Sequence, residues 1–389
     1  MSTRDTKSEN VRAPPRRKKR TKGGGGGADQ TQDEVTVVSN HEEEASKHQK
    51  VVAKRKVNIK PKKRTTESKE NSKENQAPPN VPRQPSLPPN VEHAFADFVK
   101  TTLEKGVDGL RKEFAELKTY TALEFKYDHF NANVTTGKNR YRDVVCLDAT
   151  RVVLNLNVPP EGDYIHANWV KMEGLERSYI ATQGPLELTA GDFWRLVFQE
   201  NATSVLMLCR VLEDNKPKCF QYFPQEQGSY KNYGCMFVNN KKVEQNDDKV
   251  TTYTLEILPD GCSNSNIVKL IHFDQWPDRG VPEKPMPILR TMRLVPNGVC
   301  VLHCSAGIGR TGSVIAIDTA IHRLVKGIPV VMRDLFKQLR DQRASAIQTE
   351  AQYVFVHTCI FEYIRAKLPG KYREIAFQFA EEVKKANMV

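Results

Sequence analysis

Residues 301–313 read VLHCSAGIGRTGS. VCVLHC (299–304) has the composition of a buried strand, and TGSVIAIDTAIHRLVK (311–326) carries apolar residues at helical spacing. The intervening CSAGIGR is therefore a strand-to-helix turn. Gly307 and Gly309 let the backbone curl so that successive N–H groups converge on one point, where the helix N-terminus adds partial positive charge. Such a concavity suits a tetrahedral oxyanion. Arg310 closes it with a fork of donors that can hold two phosphate oxygens at once. Cys304 then lies on its floor, where the same positive groups favour the nucleophilic thiolate over the thiol. The chemistry expected is in-line attack on phosphorus to give a phosphocysteine. The Thr311 hydroxyl, beside the loop, is expected to stabilise the thiolate when it leaves again. A small buried cysteine at a strand end is the bland alternative. His303 before it, two glycines after it and Arg310 six residues on all weigh against that reading.

Outward from this loop, strand-like runs occur at 151–156, 164–170, 204–211, 253–258 and 266–273. Helix-like pieces occur at 91–118, 190–200, 285–295 and 350–367. Strands recurring between helices predict one α/β domain with a mixed sheet over about 91–370, followed by a short helical extension at 371–389. FDQWPDRGVPE (273–283) supplies a candidate acid in Asp278. Trp276 would anchor a lid that Pro277 stiffens and Gly280 lets bend. Taken alone, this segment reads as an ordinary surface turn.

The chain has 389 residues and a net charge of +12, and residues 1–90 hold 21 Lys+Arg against 11 Asp+Glu. The basic excess thus belongs to the front, which carries almost no large apolar residues and is expected to be a disordered tail. PPRRKKRTK (14–22) and KRKVNIKPKKR (54–64) suit import receptors or anionic surfaces as partners. Without interleaved aromatics, specific nucleic-acid recognition is not expected. No apolar run is long enough for a transmembrane segment. Eight cysteines scattered without C-x-x-C spacing predict reduced thiols, no metal and no cofactor. A cytoplasmic location follows, or a nuclear one if the basic tail is read as an import signal.

Several further motifs give the chain its resemblance to the tyrosine-specific, cysteine-dependent protein phosphatases of the non-receptor kind. KNRYRDV (138–144) resembles the family's phosphotyrosine-recognition loop, DYIHANWV (163–170), TQGP (182–185) and DFW (192–194) its core motifs, and KCFQYFP (218–224) the loop that meets the closed lid. WPD (276–278), HCSAGIGRTG (303–312) and IQTEAQY (347–353) resemble its lid, phosphate loop and water-orienting loop. The resemblance implies a central mixed, highly twisted sheet flanked by helices, and phosphotyrosine-containing proteins as substrates. It implies that Tyr141 stacks on the substrate ring, that Asp143 holds the peptide backbone, and that Ser305, Ala306, Gly307, Ile308 and Gly309 surround the phosphate. Asp278 becomes the general acid with Lys218 beside it. Glu213 fixes Arg310, and Gln348 and Gln352 orient the hydrolytic water.

Two positions depart from the family's pattern. His166 stands where Asn is usual, supporting the loop through Arg343, and is expected to weaken turnover or add pH dependence. Arg279 follows the lid aspartate where an aromatic residue or His is usual. The rival reading is a phosphotyrosine-binding scaffold that has lost turnover. An inositol-lipid phosphatase is disfavoured, because SAGIG carries no lysine to meet extra phosphates.

Overall fold

The computed structural model describes residues 87–247, 250–368 and 370–387. Of the tail expected at 1–90, residues 1–86, with both basic segments, lie outside them, and the first helix already begins at Pro89. Eleven strands are present: β1 Arg151–Val153, β2 Tyr164–Val170, β3 Ser178–Thr182, β4 Ser204–Met207, β5 Leu212–Glu213, β6 Lys216–Pro217, β7 Tyr230–Tyr233, β8 Met236–Asp247, β9 Val250–Pro259, β10 Asn266–Phe273 and β11 Val299–His303. The helices are α1 Pro89–Leu117, α2 Asp128–Ala132, α3 Ala190–Gln199, α4 Met286–Met292, α5 Gly309–Val325, α6 Met332–Arg340, α7 Glu350–Lys367 and α8 Lys371–Ala386.

Nine strands form one mixed sheet in the order β1-β2-β3-β11-β4-β10-β9-β8-β7. Its centre is parallel, with β11 between β3 and β4 and with β10 beside β4. Both flanks are antiparallel. This follows from composition: SVLM in β4 is buried at every position and VCVLH in β11 at all but the first, as parallel strands covered on both faces must be. The carboxyl ends of parallel strands are where open α/β sheets place ligands, and here Thr182, Leu208 and His303 meet at that edge. From it α5 runs back through the interior, buried from Gly309 to Ile321.

Strands expected at 164–170 and 266–273 and the helix at 350–367 have those bounds. The strand expected to continue to 211 stops at Met207. Leu208 N–H donates to the His303 carbonyl, and Arg310 claims the Leu208 carbonyl, so the chain leaves the sheet there. It turns through Asp214 and Asn215, both at positive φ, into the β5–β6 hairpin. α1 is broken at Gly106 (φ 58°), and the first N–H beyond the break, that of Val107, donates to Glu382 of α8. β3, β7, β8 and α6 were not anticipated. β8 opens with buried Met236 and Val238, but most of its residues from Asn239 onward are polar, and that part is set by pairing with β9 rather than by an apolar pattern of its own. Among the described residues no helix is long and apolar enough to cross a membrane.

Leu206, fully buried at the centre of the sheet, provides a test of this core. Leu206→Ala should cost about 2–5 kcal/mol in urea unfolding. A loss below about 1 kcal/mol would contradict the packing described.

Candidate active site

A cavity of about 420 Å³ opens at the carboxyl edge of the parallel strands. It is lined by Tyr141, Asp143, Asp278, Arg279, Cys304, Ser305, Arg310 and Gln348, among others. Residues drawn from five separate stretches of sequence thus converge on one place.

The floor is the turn after β11. Gly307 adopts φ 69°, and a Cβ there would lie 2.0 Å from the Thr182 carbonyl oxygen, so no side chain fits. Its N–H donates to Cys304 Sγ at 3.3 Å. Cys304 is 5 % exposed and is the one cysteine that lines the cavity. Cys146, by contrast, is buried against the Ala167 carbonyl, and burial pushes its thiol up to about 11.

Beneath the turn lies Arg343, 1 % exposed. Its Nε donates to the Gly307 carbonyl and its Nη2 to the Ala306 carbonyl, each at 3.0 Å, while Nη1 reaches Asn168 Oδ1 at 2.7 Å. Drawing these two carbonyls down turns the adjoining N–H groups toward the cavity. Among the described residues no carboxylate contacts Arg343, so its charge adds to the positive potential under Cys304. Burial lowers its pKa, but a guanidinium titrates so high that it stays charged.

His166, the departure noted in the sequence, belongs to this support. Its Nε2 lies 2.8 Å from the Val144 carbonyl, an acceptor, so Nε2 carries the proton and Nδ1 accepts from both Arg343 Nη atoms at 3.3 Å. Burial and the neighbouring Arg343 charge push it down to about 3. The pH dependence expected of His166 is therefore corrected: the ring is neutral throughout the neutral range and serves as a fixed bridge between the 138–144 loop and the cysteine loop.

Arg310 projects into the cavity from α5. Nη1 and Nη2 donate to the two oxygens of Glu213 at 2.7 and 2.6 Å, and Nη1 also donates to the Leu208 carbonyl. Burial alone would lower the Arg310 pKa, but the Glu213 carboxylate more than offsets it and raises it. Nη2 further reaches Asp278 at 3.2 Å, and Asp278 also accepts from Lys218 at 2.5 Å. Burial would raise the Asp278 carboxyl, yet Lys218 and Arg310 hold it below the usual carboxylate range. The lid bearing Asp278 is thus closed on the cavity, with Trp276 Nε1 donating to the Gly280 carbonyl.

The wall of the cavity is fixed to the floor. Ser305 Oγ donates to the Lys218 carbonyl, so Tyr141 OH donates to Ser305 Oγ at 2.8 Å. Gln183 accepts from Arg140 N–H and donates to the Lys138 carbonyl, pinning the 138–144 loop. Gln348 is exposed at the rim with a free side chain. Gln352 also lines the cavity, but its Oε1 is taken by Gln348 N and Thr349 N in the capping box that starts α7. Thr311 Oγ1 is buried with no hydrogen-bond partner. His303 is bonded to the Cys304 carbonyl and Tyr222 OH. Arg140, Asn168 and Gln183 act here through contacts between distant segments, which spacing alone does not reveal. Lys216 at the rim was also not anticipated. Among the described residues the one His/Cys/acid group able to hold a metal is Cys209, Cys219 and His303, behind the loop.

Comparison with known proteins agrees with this geometry. A family model described as protein-tyrosine phosphatase matches residues 135–362. The chain is 34% identical over 302 residues to the tyrosine-protein phosphatase Lar-like of Caenorhabditis elegans, covering 72% of this chain and 14% of that protein. It is 36% identical over 268 residues to the receptor-type tyrosine-protein phosphatase F of Mus musculus, covering 66% and 14%. With the receptor-type phosphatase zeta of Rattus norvegicus it shares 35% over 284 residues, covering 67% and 12%. The chain therefore spans about a seventh of the length of such relatives.

Two outcomes are expected. Gly307→Ala should lower kcat/KM toward an aryl phosphate by roughly 10²–10³-fold, since a misplaced loop N–H forfeits an oxyanion donor; a loss under about fivefold would contradict the geometry. In His166→Asn the pH–rate profile should overlay that of the unaltered chain between pH 5 and 8, because a group held near 3 does not titrate there. A limb near pH 6.5 that vanishes with the substitution would contradict the neutral assignment.

Proposed function

The chain belongs to the protein-tyrosine phosphatase family, and from that membership and the cavity's geometry we propose that it hydrolyses phosphotyrosine in proteins through a phosphocysteine. The carrying observation is Cys304 on the floor of a loop whose Gly307 N–H donates to its sulfur, with Arg310 paired to Glu213 alongside and hydrogen-bonded to Asp278.

In the proposed sequence the phosphoryl group enters between the loop and Arg310, which releases Asp278. Tyr141 walls the cavity, so a phosphate on a phenyl arm reaches Cys304 and one on a short serine arm does not. Asp143, exposed at the rim, serves the peptide backbone. The Cys304 thiolate attacks phosphorus as the P–O bond to tyrosine breaks, and Asp278 gives that oxygen its proton. The S–P bond is then cleaved by water held by Gln348, with Asp278 taking the water's proton and with Thr311 and the loop receiving the thiolate. Eight free cysteines support a reducing compartment, the cytoplasm or nucleus.

Asp278 is ionised in the free chain, because Lys218 and Arg310 depress it. The proton it donates must therefore arrive with the substrate, as the phosphate monoanion. Phosphate loses that proton near pH 6, so kcat/KM should fall about tenfold per unit above that pH.

Steady-state hydrolysis of a phosphotyrosine peptide in EDTA tests the reading. Cys304→Ser should abolish turnover, and Asp278→Asn should cut it by about 10²–10⁴-fold while flattening the alkaline limb. Peptide binding without turnover by the unaltered chain would move the function to phosphotyrosine recognition.

A further inference from the structure

Behind the catalytic loop, Cys209, Cys219 and His303 bring two thiols and an imidazole within 4.8 Å of one another, all buried. We propose that this group is a binding site for a soft or borderline d¹⁰ cation, with Zn²⁺ as the physiological candidate. The chemistry of the donors selects the cation. Two thiolates and one imidazole are a zinc-type set, with no oxygen ligand to suit magnesium or calcium.

The imidazole is already oriented for the task. His303 Nδ1 lies 3.0 Å from the Cys304 carbonyl, which only accepts, so Nδ1 carries the proton. Nε2 then accepts from Tyr222 OH at 2.7 Å. A ring nitrogen tied to a backbone carbonyl, with the other lone pair directed inward, is the arrangement that metal-bound histidines use. The Tyr222 hydroxyl, which has a second neighbour in Met207 Sδ at 3.8 Å, must yield, and the Cys219 thiol must give up its hydrogen bonds to the Phe220 and Pro185 carbonyls at 3.2 and 3.9 Å. A zinc ion bonded at about 2.0–2.3 Å needs donors about 3.5–4 Å apart, so contraction by about an ångström closes the site. Phe193, Trp194 and Tyr222 wall it and keep water out.

The two thiols otherwise meet each other. Binding replaces both thiol protons, Zn²⁺ + 2 RSH giving Zn(SR)₂ + 2 H⁺.

The position gives the site its consequence. Cys209 follows Leu208, whose carbonyl holds Arg310; Cys219 follows Lys218, which holds Asp278; and His303 precedes Cys304. Contraction around a cation therefore pulls on all three at once. This inference does not require the phosphatase reading, since its test is read by binding.

Full-length chain carrying Cys304→Ser, so that the nucleophile cannot bind, is stripped of metal and titrated with Cd²⁺. Bound thiolate is followed by its ultraviolet charge-transfer absorption, and Zn²⁺ is used to displace the Cd²⁺. The expected result is one equivalent carrying two thiolates, weakened at least tenfold by adding Cys209→Val and likewise by Cys219→Ser. Adding Cys262→Ala, at an exposed cysteine, should leave it in place. The two variants are separate checks should either unfold in a thermal melt. No bound equivalent, or one that persists at full affinity in a folded Cys209→Val or Cys219→Ser chain, overturns the proposal.

Discussion

The structure of the site depends on a buried guanidinium that meets no carboxylate among the described residues. Arg343 is removed from water at a cost that a carboxylate would ordinarily offset, yet it bonds only to two loop carbonyls, Asn168 and His166. Its contacts decide which way the peptide groups of 306 and 307 face. A loop of small residues has no side chains to dictate this for itself, and Gly307 would accept many backbone states. Through His166 and Val144 the same guanidinium is linked to the loop bearing Tyr141, so floor and wall are placed by one group. The uncompensated charge is also useful, because the site is built to receive an anion above it.

A second constraint is the competition among charges in the cavity. Glu213 saturates one edge of Arg310 with a bidentate pair and leaves the remaining donors aimed inward. In the ligand-free state Asp278 takes one of them, with Lys218 on its other side. The carboxylate thereby stands where substrate phosphate would place its own oxygens. In the proposed reaction, substrate binding and arming of Asp278 become one event: a phosphate that displaces Asp278 from Arg310 replaces an attractive charge with a repulsive one and favours the protonated carboxyl. The lid does not have to be closed by substrate, only reorganised by it.

Much of this was legible in the sequence, and the reason is local. Cys304 to Arg310 form a contiguous turn between a strand and a helix, and such a turn carries its chemistry in its own residue types. β2, β10 and α7 could be bounded because apolar pattern and flanking turn or cap residues agree there. Asp278 stood alone as a common turn and acquired a role only with the family resemblance. What escaped was set by contacts between distant segments. The strand at 204–211 was cut short by Arg310 and the Glu213 hairpin, and the polar stretch of β8 beyond Val238 is held as strand by its pairing with β9. Gln352 was expected to orient the water; it lines the cavity beside Gln348, with its Oε1 engaged by the backbone at the start of α7, a contact the sequence motif did not announce. The substitution at His166 looked like a weakened position. The ring's two nitrogens supply one donor and one acceptor, which is what a bridge between Val144 and Arg343 requires.

The measurement that tests the account most directly is a rapid acid quench of the chain turning over a phosphotyrosine peptide labelled in the phosphoryl group, followed by proteolysis. The account predicts label on the peptide containing Cys304 in amounts approaching one per chain in Gln348→Ala, where the step that uses water is slowed. Continued release of phosphate with no label on that peptide, in either the unaltered chain or the variant, would contradict a phosphocysteine route.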